Sequence, residues 1–321
     1  MMKNNKKLEI YFPGWTRKSL TFTIDDGNIE MDTKFLSIIK PSGIKGTFNL
    51  CKPDRLSPEE YREFYKGYEI ANHCKNHPMA FVDGNEYIIS DEPFDTMSSA
   101  EYTEITPYIY KTETEGIYMM HHLPHRPKPT GWFRITDTDT YLKFVSECRT
   151  ELEQVFGCGK IKSFVWPYSQ QNNRKIFETL KSSGYNSIRS TGEVGSSGGF
   201  GFPPDRMTWS YTATNKSLLS LMDEYEKYED DGELKFFAFG VHSYDFERDG
   251  NWCDLETFAE KYGNRPNDFY YATVSELFEY EDAVKNLKIE ENGITNDSSV
   301  ELYIAINGEN VILNPRTTLK Q

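Results

Sequence analysis

Two pairs of side chains pose the chemical question. Asp25 and Asp26 are adjacent acids that close the apolar run Ser19–Ile24, and Gly27 follows at once. Neighbouring carboxylates at the end of a buried strand repel each other and lose hydration, so a fold that keeps them there has a use for them. Alone, an Asp-Asp-Gly triplet also fits a plain turn or helix cap. His73 and His77 stand four apart, just after "YEIAN". In a helical turn that spacing puts both imidazoles on one face, able to hold one metal ion; two structural histidines fit it as well. The pattern is not H-E-x-x-H, which disfavours a zincin protease. Two further motifs stand at the ends of apolar runs: Pro167-Tyr168 after "SFVW", and His242 after "FFAFGV".

The elements that must position these residues alternate. Strands are expected at Ser19–Asp25, Ile44–Leu50, Tyr68–His73, Lys162–Tyr168, Tyr185–Ser190, Leu234–His242 and Phe269–Val274. Helices are expected at Asp32–Ile39, Ser57–Tyr65, Thr140–Phe156, Asn173–Ser182, Lys216–Tyr228, Asp254–Tyr262 and Ser275–Leu287. "SPEE" at Ser57–Glu60 carries an N-cap serine, a proline at the first helical position and a glutamate placed for a capping box. Repeated β–α units with apolar strands make an α/β fold with a parallel sheet covered by helices. About seven strands fit a distorted (β/α)7-type barrel, slightly smaller than the eight-stranded standard. In such folds the carboxyl ends of the strands converge on the face where sites form. All four motifs sit at such ends.

Two regions break the alternation. Phe81–Thr136 is polar and Tyr-rich, too long for an ordinary connection, and reads as an insertion over one face. Gly192–Pro204 reads as a flexible loop. The tail Ser298–Pro315 alternates on both sides of Asn307-Gly308, a β-hairpin signal. The expected organisation is therefore one domain over residues 1–288, with the insertion at about 81–136, and a small β extension over 289–321.

The chain has 321 residues, room for a substantial core. Its net charge of −14 argues against nucleic acid or an anionic membrane surface as partner. Five cysteines without a C-x-x-C pair argue against a disulfide framework or a zinc ribbon. No run reaches transmembrane length, and the basic start "MMKNNKK" lacks the apolar core of a signal peptide. The default location is cytoplasmic, a trimmed secreted chain staying open.

Taken in order, the motifs resemble the polysaccharide deacetylase family (the NodB-homology domain, carbohydrate esterase family 4). Its T-F-D-D-G-like motif corresponds to Thr23-Ile24-Asp25-Asp26-Gly27, and its H-S/T-x-x-H to His73-Cys74-Lys75-Asn76-His77. Its R-x-P-Y-G-like motif corresponds to Val165-Trp166-Pro167-Tyr168-Ser169, and its last apolar–x–His motif ends at His242. The resemblance runs from about Leu20 to Ala283, and "HSYDF" with "YYAT" is similar to a subgroup with an HSYEF-like ending. It implies metal ligation by Asp26, His73 and His77, a 2-His-1-carboxylate set with open positions. Zn²⁺ is the ion implied, with Co²⁺ or another divalent ion open. It also implies Asp25 as general base, the backbone N–H of Tyr168 as oxyanion donor and His242 as general acid. The substrate implied is an acetylated glycan.

Departures from the family pattern bear on substrate more than on metal. The third-motif Arg that orients the base in the family is Val165 here, Ser169 replaces Gly, and Cys74 replaces Ser/Thr. The D-x-x-D-W motif is absent, and Arg206 or Trp209 in "PDRMTWSY" lies in about its place. Trp166, Pro167, Tyr168 and Trp209 are the expected substrate-binding residues, aromatic rings stacking on sugar C–H faces. For Trp132 and Trp252 ordinary packing fits as well. His121, His122 and His125 in the insertion read as solvated or substrate-facing. Cys74 reads as a packing residue. The leading function is a metal-dependent deacetylase acting on N- or O-acetyl groups of a carbohydrate. Two alternatives remain: a catalytically impaired carbohydrate-binding pseudoenzyme, and a metal hydrolase of non-sugar amides on the same fold.

Overall fold

A computed structural model of the chain describes residues 7–90, 108–121, 132–169, 173–190, 192–197, 199–290 and 293–320. Two compact units are present. One comprises residues 1–49, 64–70 and 191–321, the other residues 50–63 and 71–190. Each of the expected strands of the alternation is found, as are the expected helices. The fold class is the α/β class expected, with parallel strands joined through helices.

In the first unit, Lys18–Asp26 is the central strand, seven of its nine residues fully buried. It pairs in parallel with Lys235–His242 along its length, from Lys18↔Lys235 to Asp25↔His242. Tyr270–Tyr271 joins it in parallel at Ser19 and Leu20. Burial on both faces explains why these strands read as continuous apolar runs. Phe22 meets Phe35, Phe48, Tyr68 and Phe239 at ring-centroid separations of 5.1–5.7 Å. Gly46 is required by that packing, because a Cβ there would stand 2.4 Å from the Phe22 ring. The first helix is Ile29–Ile39, three residues longer at its start than expected. Asn28 is the reason: its side chain caps Met31 N at 3.1 Å, so the helix follows the Asp-Asp-Gly turn directly.

The tail does more than append a hairpin. Leu302–Ile306 and Glu309–Leu313 pair across Asn307-Gly308, whose φ angles of 53° and 86° are those of the expected two-residue turn. Leu8–Tyr11 adds a third strand, antiparallel to Leu302–Ile306. Leu302, Ile304 and Leu313 bury themselves in one cluster with Leu277, Phe278 and Phe236, so the extension shares its core with the last helix, Val274–Lys285.

The second unit carries Ser163–Val165 between Ser187–Arg189 and the end of Glu69–Asn72, all parallel. Helix Thr138–Phe156, capped by Asp137, buries Tyr141, Phe144, Val145, Cys148 and Leu152. The insertion has a sheet of its own. Trp132–Thr136 pairs with Met79–Ala80 and Tyr118–His121, which pairs in turn with Tyr108–Lys111. Met79, Ile109 and Ile135 form its small core. His122 and His125 lie outside the described residues.

Candidate active site

The first unit brings Asp25, Asp26 and His242 together. Asp25 and His242 are register partners on paired parallel strands. Asp25 is 4% exposed, and Asn49 Nδ2 donates to its Oδ1 at 2.7 Å while also donating to Thr23 Oγ1 at 2.7 Å. Asp26 then turns the chain with φ 76°, a conformation rare outside glycine, and Gly27 continues it at φ 72°. Asp25 is the last residue in register with the neighbouring strand, and Asp26 turns the chain out of it. The turn also spends strain at a site, where strained backbone tends to cluster.

Asp245 organises His242. Its Oδ2 accepts from the His242 backbone N–H at 2.9 Å and from ring Nδ1 at 3.0 Å, and Arg248 pairs with its other oxygen at 2.6 Å. With Nδ1 occupied, Nε2 faces Asp26, 3.8 Å from Oδ2. Burial pulls the imidazole pKa down, but the Asp245 hydrogen bond and the charges of Asp25 and Asp26 outweigh it, and the net shift is upward. Tyr244 closes the group. Its hydroxyl donates to Asp26 Oδ2 at 2.8 Å, and its ring stacks on His242 with centroids 4.7 Å apart. Beneath them Asp32 is buried, accepting from Tyr65 Oη and Ser243 Oγ, each at 2.6 Å.

The second unit brings His73, His77 and Tyr168 together. His73, 1% exposed, is held by backbone: its N–H donates to Leu50 O at 3.0 Å, and Nδ1–H donates to Val165 O at 2.9 Å. Nε2 is thereby left as the lone-pair nitrogen, 3.1 Å from His77 Nε2. Two imidazole nitrogens on one tetrahedral ion would sit about 3.3 Å apart, so the pair fits a shared metal as it stands. The expected helical turn is absent. Cys74, Asn76 and His77 have φ of 59°, 65° and 50°, and His77 N–H donates to Cys74 O at 3.2 Å. Asn72 builds this turn, its Oδ1 accepting from Cys74 N at 2.9 Å. The sequence holds no periodic signal for such a left-handed path. Cys74 is buried, and burial drives its thiol pKa well up, in keeping with a packing role.

Tyr168 also has positive φ, 53°, and its ring packs edge-on against His77 at 4.5 Å. It is 39% exposed, while Pro167 beside it is buried. The expected tryptophan platforms are not surfaces. Trp166 is 0% exposed and packs between Tyr141 and Phe164, and Trp209 is 3% exposed against Phe236 and Phe278. Alternation along the strand end turns Trp166 away from the face of Val165. Arg206 forks onto the Asp282 carboxylate, so its guanidinium belongs to the last helix. Trp252 donates to Glu247 at 2.7 Å and packs on Phe246.

Two residues the motifs did not reveal stand here. Arg189, 1% exposed, is the register partner of Val165. An arginine therefore stands, one strand over, level with Val165, and its Nη1 donates to Ser190 O at 3.3 Å. Cys51 follows the strand Gly46–Leu50 directly and brings its sulfur within 4.8 Å of the ligand nitrogens of His73 and His77.

The sequence profile of the polysaccharide deacetylase family matches residues 14–188, more than half of the chain. No curated protein matches. Among solved structures, a CE4 esterase from Streptococcus mutans is 16% identical, with 82% of this chain and 92% of that chain covered at a TM-score of 0.44. The Xyl-CE4 domain of a xylanase from the hindgut metagenome of Trinervitermes trinervoides is 15% identical, with 86% and 96% covered at 0.42. A family 4 acetyl xylan esterase from Clostridium thermocellum, in complex with a cobalt ion, is 13% identical, with 83% and 92% covered at 0.42. Among the described residues no helix is long and apolar enough to cross a membrane.

Proposed function

The chain belongs to the polysaccharide deacetylase family, and from that premise we propose that it is a metal-dependent deacetylase that hydrolyses N- or O-acetyl groups on a carbohydrate. Asp26, His73 and His77 would hold one divalent ion, with Zn²⁺ favoured by the imidazole-rich donor set and Co²⁺ its nearest substitute. When bound, the ion lowers the pKa of water and polarises the acyl oxygen. Asp25 takes a proton from the attacking water. Asn49, by donating to Asp25 Oδ1, holds that carboxylate in place. The backbone N–H of Tyr168 donates to the developing oxyanion. His242 gives its Nε2 proton to the leaving nitrogen or oxygen, its ring held by Asp245 through Nδ1. Water supplies the oxygen added to the acyl carbon, and acetate and the free amine or alcohol leave.

One observation carries this reading: a buried carboxylate and a histidine whose Nδ1 is held by a second carboxylate are register partners at the carboxyl ends of paired strands. That is an acid–base pair, which a binding module has no need to keep. The test is acetate release from a panel of N-acetyl and O-acetyl oligosaccharides, with Zn²⁺ or Co²⁺ added and Asp25→Asn as control. Release that depends on both ion and Asp25 supports the reading, and the productive substrate names the linkage. A second reading, hydrolysis of a non-sugar amide on the same scaffold, draws on the burial of Trp166 and Trp209. It would show as turnover of small amides without acetate.

A further inference from the structure

We propose that Cys51 is a fourth protein ligand of the ion held by His73 and His77, and that its sulfur biases the centre toward thiophilic metals. The proposal rests on the metal-dependent reading above.

The cysteines sort by position. Cys158 and Cys253 are exposed, and Cys74 and Cys148 are buried with thiol pKa values raised by burial. Cys51 is half-buried, beside the histidines. Its sulfur lies within 4.8 Å of the ligand nitrogens of both. A thiolate and an imidazole on one zinc ion, at bond lengths of about 2.3 and 2.0 Å, stand about 3.0–3.5 Å apart, and expansion of the ion to five ligands keeps the position that the attacking water needs. The backbone is pinned at this point. Cys148 Sγ donates to Leu50 O at 3.3 Å and to Cys51 O at 3.1 Å, and Leu50 O also accepts from the His73 N–H at 3.0 Å. The backbone at Cys51 is therefore tied to the residue whose ring it approaches. In this structure the thiol makes a 3.5 Å contact to His73 O, a weak interaction beside a metal–thiolate bond. The second observation is independent of the cysteine. The His73 ring is buried, its Nδ1 is committed to Val165 O, and its Nε2 already stands 3.1 Å from His77 Nε2. A soft sulfur added to two imidazoles and a carboxylate favours Zn²⁺, Co²⁺ or Cd²⁺ over the hard ions Mg²⁺ and Mn²⁺.

The experiment is Co²⁺ titration of the whole protein, followed in the visible and the near ultraviolet, for the wild type, Cys51→Ser and His73→Ala. Ligand-field bands in the visible report cobalt in the site, and a sulfur-to-cobalt charge-transfer band in the near ultraviolet reports thiolate ligation. The expected result is both bands in the wild type and loss of the near-ultraviolet band alone in Cys51→Ser. Zn²⁺ affinity in that variant falls about tenfold or more, with an unchanged circular-dichroism spectrum. Visible bands without the charge-transfer band in the wild type overturn the proposal and leave the metal reading standing. No cobalt bands that depend on His73 overturn both.

Discussion

Tyr244 donates its hydroxyl hydrogen to Oδ2 of Asp26 at 2.8 Å while its ring lies against His242, centroids 4.7 Å apart. The hydroxyl orients a carboxylate that, in the proposed reaction, ligates the ion, and partners of that kind tune affinity. Tyr244→Phe should weaken Zn²⁺ binding by roughly ten- to a hundredfold while keeping most of kcat at saturating metal. Competition against a chromophoric chelator measures the first, and acetate release at high Zn²⁺ the second. Equal metal affinity in the two proteins would show that Asp26 is oriented without Tyr244.

The Asp245–His242 pair fixes a pH limb. Burial depresses the His242 pKa, and Asp245 leads the groups that overcome it. A general acid works only while protonated, so activity falls as pH rises through its pKa. Asp245→Asn removes the negative charge that lifts the pKa and should shift the alkaline limb of kcat toward lower pH. A full pH–rate profile of both proteins decides it. An unmoved limb assigns that limb to another group.

Asp25→Asn should keep the metal and lose about 10²- to 10⁴-fold in kcat, the usual worth of a positioned proton acceptor. Asp26→Ala should lose the metal itself. Measuring bound Zn²⁺ beside acetate release separates the two roles assigned to adjacent residues. Full activity in Asp25→Asn would remove it from the mechanism.

Much of this was legible in the sequence where apolar runs ended in chemistry. The run from Ser19 to Asp26 gave away its strand because both of its faces are buried, and Asp25 and His242 could be placed at strand ends for the same reason. Features that depend on cross-strand neighbours stayed hidden. Nothing in "YNSIRS" says that Arg189 is level with Val165; only strand pairing does. The His73–His77 spacing suggested a helix because four-residue spacing is a helical signal, whereas Asn72 and three left-handed residues bring the rings together by another path. Trp166 and Trp209 looked like platforms because aromatic composition does not report which face of the backbone a ring takes. Cys51 carried no motif at all, since its meaning lies in what stands beside it.

The last prediction concerns a carboxyl group outside the chemistry. Asp32 is fully buried and accepts hydrogen bonds from Tyr65 and Ser243. Burial pushes its pKa up to about 6; the two hydroxyl donors pull against this, and the charge of Asp26 adds to it. The folded state therefore holds a proton that an unfolded chain, with a carboxyl pKa near 4, has already released. Between about pH 4 and pH 6 the folded form binds more protons than the unfolded, so stability falls as pH rises through this window and levels off above it. Two pKa units correspond to about 3 kcal/mol. Asp32→Asn cannot ionise, and its amide can accept from one hydroxyl and donate to the other. Urea unfolding in the presence of a chelator, at pH 4.5 and pH 7, should show the variant gaining on the wild type as pH rises, because shifts at all other groups are common to both. Parallel pH dependence in the two proteins would mean that Asp32 stays ionised in its buried site, held there by Tyr65 and Ser243.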